Sequence, residues 1–218
     1  RTNGDLDVDR MIVPLQNRRG KIVAWVLAVP FLRPADLPAV DQAADALVDG
    51  TRALYQRVLQ SLGSRRRPNQ AVIAMGHCYM VGCQLSELSE RKVLGGNQHP
   101  LPHDVFGSDI AYAALGHLHV PQRVGGHENI RYSGAVLPLS FDARAVQHAV
   151  MLIEFAGARA TSIRELPVPR TVTLLSVPND EPVPLDAVLE TLQSLPCRSD
   201  GPDEQRPLLE VRVALDKP

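Results

Sequence analysis

The chain has 218 residues, of which 44% are hydrophobic and 22% are charged, and its net charge is -1. This composition is typical of a globular protein with a sizeable core, so disorder is not its default state. A near-neutral charge gives no general attraction to nucleic acid, although a local patch of cations is compatible with it. The longest apolar run, residues 22–32, is interrupted by Pro30 and is too short for a bilayer, which takes about 20 residues.

The three cysteines are odd in number and do not make a disulfide framework, so the sequence predicts a reducing, cytoplasmic location. Cys78 and Cys83 lie close together, but the other cysteine is Cys197, and a structural zinc site needs a second close pair. Buried apolar thiols are therefore expected. The chain begins with Arg1 rather than Met, and we expect it to be part of a longer protein.

The first part of the chain predicts a β-hairpin followed by a helix. Apolar runs at 11–15 and 21–29 indicate strands, and the polar residues between them indicate a turn. Apolar residues then recur at helical spacing over 39–62, with Asp36 as a candidate N-cap. The basic run 65–67 is expected to be a solvated helix end, with phosphate contact as the weaker alternative.

Two short apolar runs, residues 71–75 and 110–115, are each followed by a Gly-His pair. Short uninterrupted apolar runs are typical of strands that are buried on both faces. A histidine at the carboxyl end of such a strand lies where open α/β sheets place their ligands. The glycine before each histidine is expected to permit a sharp turn there.

The remainder of the chain predicts further strands and one more helix. The strands cover residues 130–132, 149–155, 160–166, 171–177 and 208–215, and the helix covers residues 185–195. Two prolines near residue 168 mark a boundary. We therefore predict an α/β fold with one domain over residues 1–167 and the beginning of a smaller domain over residues 168–218.

Three of the seven histidines are candidate metal ligands: His77, His117 and His119. His117 and His119 are separated by one residue and can direct both imidazoles toward one point, and His77 can join them. Neutral imidazole binds zinc, manganese or iron, so the group favours metal-assisted hydrolysis over a set of ordinary polar loop residues. Three imidazoles are only part of a two-metal site, because the carboxylates of such a site are not obvious in the sequence.

The other candidate side chains favour structural interpretations. His99 and His103 lie among prolines, which predicts surface loop, and His127 and His148 have no companions in the sequence. The charged residues of 86–91 are typical of a solvated helix start with serine as its cap. The sequence contains no nucleophile elbow, phosphate-binding glycine loop or dinucleotide fingerprint.

Several segments together resemble the SbcD family of nuclease subunits, which belongs to the calcineurin-like metallophosphoesterases. The resemblance is strongest over residues 71–141, and it is carried by the strings Gly76-His-Cys-Tyr-Met-Val-Gly82, Tyr112-Ala-Ala-Leu-Gly-His-Leu-His119, Tyr132-Ser-Gly134 and Pro138-Leu-Ser-Phe141. It implies part of a metallophosphoesterase α/β sandwich, followed by the start of a small α/β capping domain.

The resemblance also implies two divalent metal ions, usually manganese. His77 matches the ligand in the fourth motif of the family, and His117 and His119 match the fifth. The first three motifs supply the bridging carboxylate and a further histidine, and their strings do not occur in this sequence, so the catalytic residues have no positions here. Because two cations repel one another without a carboxylate between them, we expect this chain alone to bind manganese poorly and to cleave DNA weakly or not at all.

The activity implied by the resemblance is metal-dependent hydrolysis of DNA phosphodiesters at ends or hairpins, in DNA repair and recombination. The implied partners are DNA, an SbcC-type ATPase and a second copy of the chain, and no membrane. Two alternatives stay open. One is a non-catalytic module that docks on the partner ATPase, and the other is a phosphodiesterase for small substrates.

Overall fold

The computed structural model describes residues 6–84, 100–196 and 202–215. Its main sheet consists of β1 (Ile12–Gln16), β2 (Ile22–Ala28), β3 (Ala71–His77), β4 (Tyr112–Gly116), β5 (Gln122–Val124) and β6 (His127–Tyr132). The strand order is β1-β2-β3-β4-β6-β5. The strands β2, β3, β4 and β6 are parallel, and the edge strands β1 and β5 run antiparallel to their neighbours. The carboxyl ends of four strands therefore meet at one edge of the sheet.

Helix α1 (Ala46–Leu62) begins later than the predicted range 39–62. The carboxylate of Asp45 caps it by accepting hydrogen bonds from two backbone N–H groups of the first turn, at 2.9 and 3.1 Å. The prediction that Asp36 is the cap was wrong. Asp36 ends a separate 3-10 turn, where its carboxylate accepts hydrogen bonds from the backbone N–H and the guanidinium of Arg33.

The core lies between α1 and one face of the sheet. Leu54, Val58 and Leu62 of α1 are fully buried in one cluster with Leu27 of β2 and Val72 of β3. Burying each side chain of this size stabilises the fold by about 1.5–3 kcal/mol. This layer fixes the position of β3, the strand that carries His77.

The opposite face of the sheet is less covered. Strand pairing and the alternation of side chains place Val13, Leu15, Val26, Ile73 and Met75 on this face. Three of them, Val13, Leu15 and Met75, are between 39% and 46% exposed. We call this the open face, and it is unusual because largely parallel sheets are normally covered on both sides.

The later part of the chain contains the predicted elements, although the strands predicted over 171–177 and 208–215 are shorter in the structure. Strands β7 (Ala149–Ala156) and β8 (Arg159–Pro167) form an antiparallel hairpin, and β9 (Leu174–Val177), α2 (Leu185–Ser194) and β10 (Leu208–Val211) follow, with β10 parallel to β9. The predicted α/β class is confirmed, with a mixed sheet. The metallophosphoesterase sandwich and the division into 1–167 and 168–218 stay predictions. In the described ranges, no helix combines the length and the apolar character needed to cross a membrane.

Candidate functional site

His77 and His117 lie side by side at the carboxyl edge of the sheet. His77 is the last residue of β3, and His117 directly follows β4, the parallel neighbour of β3. The two ring centroids are 5.3 Å apart, with the ring planes at 66°. The register that pairs His77 with Gly116 thus brings together two imidazoles that are distant in sequence, as the sequence predicted.

The glycines before these histidines allow close packing rather than a turn. Gly76 and Gly116 both lie within strands, so the predicted sharp turn at these glycines was wrong. A Cβ on Gly76 would lie 2.8 Å from the Tyr55 hydroxyl, and a Cβ on Gly116 would lie 3.1 Å from Nδ1 of His77. Glycine at position 116 therefore leaves room for the imidazole of His77.

The chain turns at His117 itself, whose φ is 104°. A residue with a Cβ in a sparsely populated backbone region of this kind costs about 1–3 kcal/mol, and such strain is concentrated at functional sites. The turn buries Leu118, which is 2% exposed, and leaves His117 and His119 on either side of it partly exposed. Both imidazoles consequently remain accessible to a ligand.

The loop that carries His119 is held by the segment after β6. The carbonyl of His119 accepts a hydrogen bond from the backbone N–H of Ala135 at 2.9 Å, and the carbonyl of Ala135 accepts one from Nδ1 of buried His148 at 2.7 Å. Gly134, with φ of 75°, permits this approach, because a Cβ there would lie 2.7 Å from the carbonyl oxygen of His119.

Two buried tyrosine hydroxyls hold the backbone on either side of His77. Tyr55 of α1 donates to the carbonyl of Met75 at 2.8 Å, and Tyr132 at the end of β6 donates to the carbonyl of Cys78 at 2.6 Å. Both side chains are at most 2% exposed, and this burial raises the pKa of both hydroxyls. They therefore stay protonated and keep donating over the physiological pH range.

The surroundings of His77 favour its neutral form. Partial burial and, secondly, the charge of His119 lower the pKa of His77 below its ordinary value of 6.5. The ring of Phe31, from the loop after β2, lies edge-on with its centroid 5.8 Å from that of His77. Because neutral imidazole is the form that binds metals, His77 is suited to a ligand role at neutral pH.

The three histidines offer suitable donor atoms without completing a metal centre. In the ranges that the structure describes, no group of three or more histidine, cysteine, aspartate or glutamate side chains is arranged to hold a metal ion. His77 adjoins His117, and His119 lies near enough for its charge to act on His77. The described residues therefore fit part of a two-metal site, and they include no cluster with a carboxylate that would bridge two ions.

The remaining candidates stand apart from this group. Burial raises the pKa of the Cys78 thiol to about 12, which makes it an unreactive thiol, as expected. His127 has a companion that the sequence does not indicate, because its ring centroid lies 4.1 Å from that of His103. His99, Cys197 and the charged residues of 86–91 lie outside the described residues.

Sequence reasoning missed the residues that support the site: Phe31, Tyr55, Tyr132, Ala135 and His148. A signal existed for Phe31, because loops after neighbouring parallel strands converge at the same edge of a sheet. Tyr132 stands in one of the strings that carry the resemblance, but its contact with Cys78 gave no signal. Tyr55, Ala135 and His148 gave none either, since their hydrogen bonds also join positions that are distant in the chain.

Comparison with known proteins connects this geometry to a family. No family model matches the chain. The SbcD subunit of the SbcCD nuclease of Rhodobacter capsulatus is 38% identical over 98% of this chain and 55% of its own length. The SbcD subunit of the SbcCD nuclease of Escherichia coli K12 is 31% identical over 76% of this chain and 43% of its own length.

The chain thus spans about half the length of the curated relatives it matches. A shorter similarity, 31% identity over 45% of the chain, relates it to the SbcD subunit of the Bacillus subtilis nuclease. The match to the Rhodobacter protein runs through almost the whole chain and confirms the resemblance seen in the motifs: this chain belongs to the family of SbcD-type nuclease subunits.

Proposed function

We propose that this chain forms part of the catalytic centre of a metal-dependent DNA nuclease of the SbcCD type, which hydrolyses phosphodiester bonds at DNA ends or hairpins in repair and recombination. The observation that carries this proposal is the pair His77 and His117 at the carboxyl edge of the parallel strands, with ring centroids 5.3 Å apart. The homologues, which are named as nuclease subunits, support the reaction class.

In this proposal His77, His117 and His119 are ligands of two divalent metal ions, most simply manganese. When held there, such ions would supply Lewis-acid activation of a phosphodiester and of the water that hydrolyses it. The chain itself positions the imidazoles. Partial burial favours the neutral form of His77. The turn at His117 leaves the rings of His117 and His119 partly exposed, and the hydrogen bond from the N–H of Ala135 holds the loop that carries His119. Carboxylate ligands come from outside the described residues.

The open face supports the proposed metallophosphoesterase sandwich. A second sheet packed about 10 Å away would cover the exposed side chains of Val13, Leu15 and Met75. We further propose that residues 168–218 begin the capping domain, and that DNA and an SbcC-type ATPase are the partners. Dimerisation and a cytoplasmic location stay predictions from the sequence.

A non-catalytic module that docks on the partner ATPase is the second candidate. It is favoured by one observation: among the described side chains there is no complete metal-binding cluster. Such a module would keep the α/β fold and the partner surface, and it would neither bind manganese tightly nor cleave DNA. No observation favours a phosphodiesterase for small substrates.

Calorimetric titration with manganese, followed by cleavage of a DNA hairpin, distinguishes these functions. We expect the 218-residue chain to bind manganese weakly. The intact protein, by which we mean one of the full length of the SbcD relatives, should bind two ions and cleave the hairpin. The variant His119→Ala should lower cleavage by the intact protein at least about tenfold, as the loss of metal-site residues typically does. His103→Ala, a surface histidine away from the site, is the matched control. An intact protein that binds no manganese would favour the docking module.

A further inference from the structure

Four cations from two segments of the chain lie at the edge of the sheet opposite to the histidines, and two of them, Lys21 and Arg67, border one groove. Arg18, Arg19 and Lys21 lie in the turn between β1 and β2, and Arg67 lies in the loop that leads into β3. All four side chains are exposed, and none of them forms an ion pair with a carboxylate among the described residues. We call these four residues the basic surface.

Buried Gln70 joins the two segments. Its side-chain amide donates to the carbonyl of Ile22 at 2.8 Å, next to Lys21. Its side-chain oxygen accepts hydrogen bonds from the backbone N–H of Arg67 at 2.8 Å and from Nε1 of Trp25 at 2.9 Å. Lys21 and Arg67 consequently border the same groove. The backbones that carry the two charged runs are therefore held next to each other, with Lys21 and Arg67 at the junction.

The turn that carries three of the cations is also fixed. The side-chain oxygen of Asn17 accepts hydrogen bonds from the backbone N–H groups of Arg19 and Lys21, at 2.9 and 3.1 Å. Gly20, with φ of 74°, completes the turn with a hydrogen bond from its N–H to the carbonyl of Asn17. A fixed backbone favours the binding of a repeated charge, because little backbone freedom is lost on contact.

The two arginines that directly precede Arg67 are, in contrast, each paired with a carboxylate. Asp9 pairs with Arg65 at 2.9 Å, and Asp109 pairs with Arg66 at 3.3 Å. The four residues of the basic surface therefore carry four positive charges that the described part of the chain does not pair. Since the net charge of the chain is -1, this concentration of cations is local.

We propose that the basic surface binds the phosphate backbone of duplex DNA, as a contact separate from the site of hydrolysis. The inference rests on the proposed nuclease function. Guanidinium groups match phosphate oxygens in a bidentate geometry, and lysine adds a point charge. The seven residues of β3 separate this surface from His77, which corresponds to about 20 Å at about 3.3 Å per residue. That distance equals about six steps of duplex DNA, so a duplex that extends further than this from the cut is long enough to reach the basic surface.

The test is the affinity of the intact protein for a fluorescent duplex of about 30 base pairs in EDTA, measured by anisotropy over a range of salt concentrations. Each phosphate contact contributes about 0.9 to the slope of log affinity against log salt. The variant carrying Arg18→Ala, Arg19→Ala, Lys21→Ala and Arg67→Ala should reduce the slope by at least about 2 and weaken binding at low salt at least about tenfold. Arg164→Ala, an exposed arginine on β8, is the control and should leave both values nearly unchanged.

Melting temperature and circular dichroism verify that the fourfold variant folds, since its changes affect exposed side chains only. Unchanged duplex affinity and salt slope in the folded variant would overturn the inference and indicate a solvated turn or a surface for a protein partner. Binding in EDTA involves no hydrolysis, so the two proposals fail separately. A wild-type protein that binds the duplex through these cations but never cleaves it refutes only the nuclease function.

Discussion

The two faces of the main sheet differ although they belong to the same strands. On the face under α1, Leu27 and Val72 are completely buried against Leu54. On the open face, Val13 and Met75 keep more than two fifths of their surface in contact with solvent. The strands themselves are apolar on both sides, which is the pattern of a sheet covered twice. Within the described ranges, α1 therefore covers its face more completely than any element covers the open face.

The histidine site belongs to the open face. Side chains alternate along β3, so His77 continues the row of Ile73 and Met75, whereas Gly76 points toward Tyr55 of α1. Any layer that covers Met75 therefore approaches His77 as well. The metal site proposed above therefore predicts that its carboxylate ligands come from the layer that covers Met75.

The largest expected effect comes from truncating a side chain that packs on the face of the sheet under α1, which we call the closed face. Leu54→Ala removes a side chain that is fully buried between α1 and the sheet, and it should lower the free energy of unfolding by about 2–5 kcal/mol. The matched variant Leu15→Ala on the open face, where the side chain is 39% exposed, should cost less than about 1 kcal/mol. Urea denaturation of both variants measures the difference. Equal losses would show that the two faces are equally covered in solution.

A smaller effect is expected at the segment that holds His119. Gly134→Ala combines a φ of 75° with a Cβ placed 2.7 Å from the carbonyl oxygen of His119, so we expect a loss of about 2–4 kcal/mol. Gly126→Ala has a similar φ of 79° but open space around the new Cβ, and it should lose only about 1 kcal/mol. Thermal unfolding compares the two variants. If their losses are the same, the close approach to His119 contributes nothing to stability.

Much of this architecture could be predicted from the sequence, because short apolar runs followed by Gly-His specify strands and the edge where they end. The start of α1 could not, since Asp36 and Asp45 are both acceptable caps in sequence, and only the folded chain engages Asp36 with Arg33 and Asp45 with the first turn of α1. The role of Gly116 was also predicted wrongly, because it depends on a contact with a residue distant in the chain. The space it leaves is required by His77, a residue of another strand.

The candidate site could be predicted only in part. His77 and His117 follow from strand topology, and their proximity needs no more than parallel pairing in register. The hydroxyl of Tyr55, which holds the carbonyl of Met75, depends on the packing of α1 on β3, and local sequence contains no information on that packing. The open face is likewise a property of the assembled sheet and cannot be recognised from any single strand.

The hydroxyl of Tyr55 on α1 holds the end of β3, and removing it should lower the stability of the fold measurably. Tyr55→Phe removes the hydrogen bond to the carbonyl of Met75 and should lower the free energy of unfolding by about 0.5–1.5 kcal/mol. Tyr112→Phe is the control, because the Tyr112 hydroxyl forms no hydrogen bond within the described ranges. A loss for Tyr55→Phe that does not exceed the loss for the control would mean that α1 does not fix the end of β3.

The smallest effect concerns the charge of His77 on the open face. Burial and, to a lesser degree, His119 lower the pKa of His77 in the folded protein, so the folded state binds a proton less readily than the unfolded state does. The stability that His77 contributes is therefore present above the unfolded pKa of 6.5 and is lost as the pH falls from there through the lowered folded pKa.

His119→Gln removes the second cause and leaves burial, so the pKa of His77 should rise but remain below 6.5. Nuclear magnetic resonance titration of the His77 ring in the metal-free protein measures this shift. An unchanged pKa would mean that His119 is too distant to share a metal site with His77, whereas a return to 6.5 would mean that the open face leaves His77 fully hydrated.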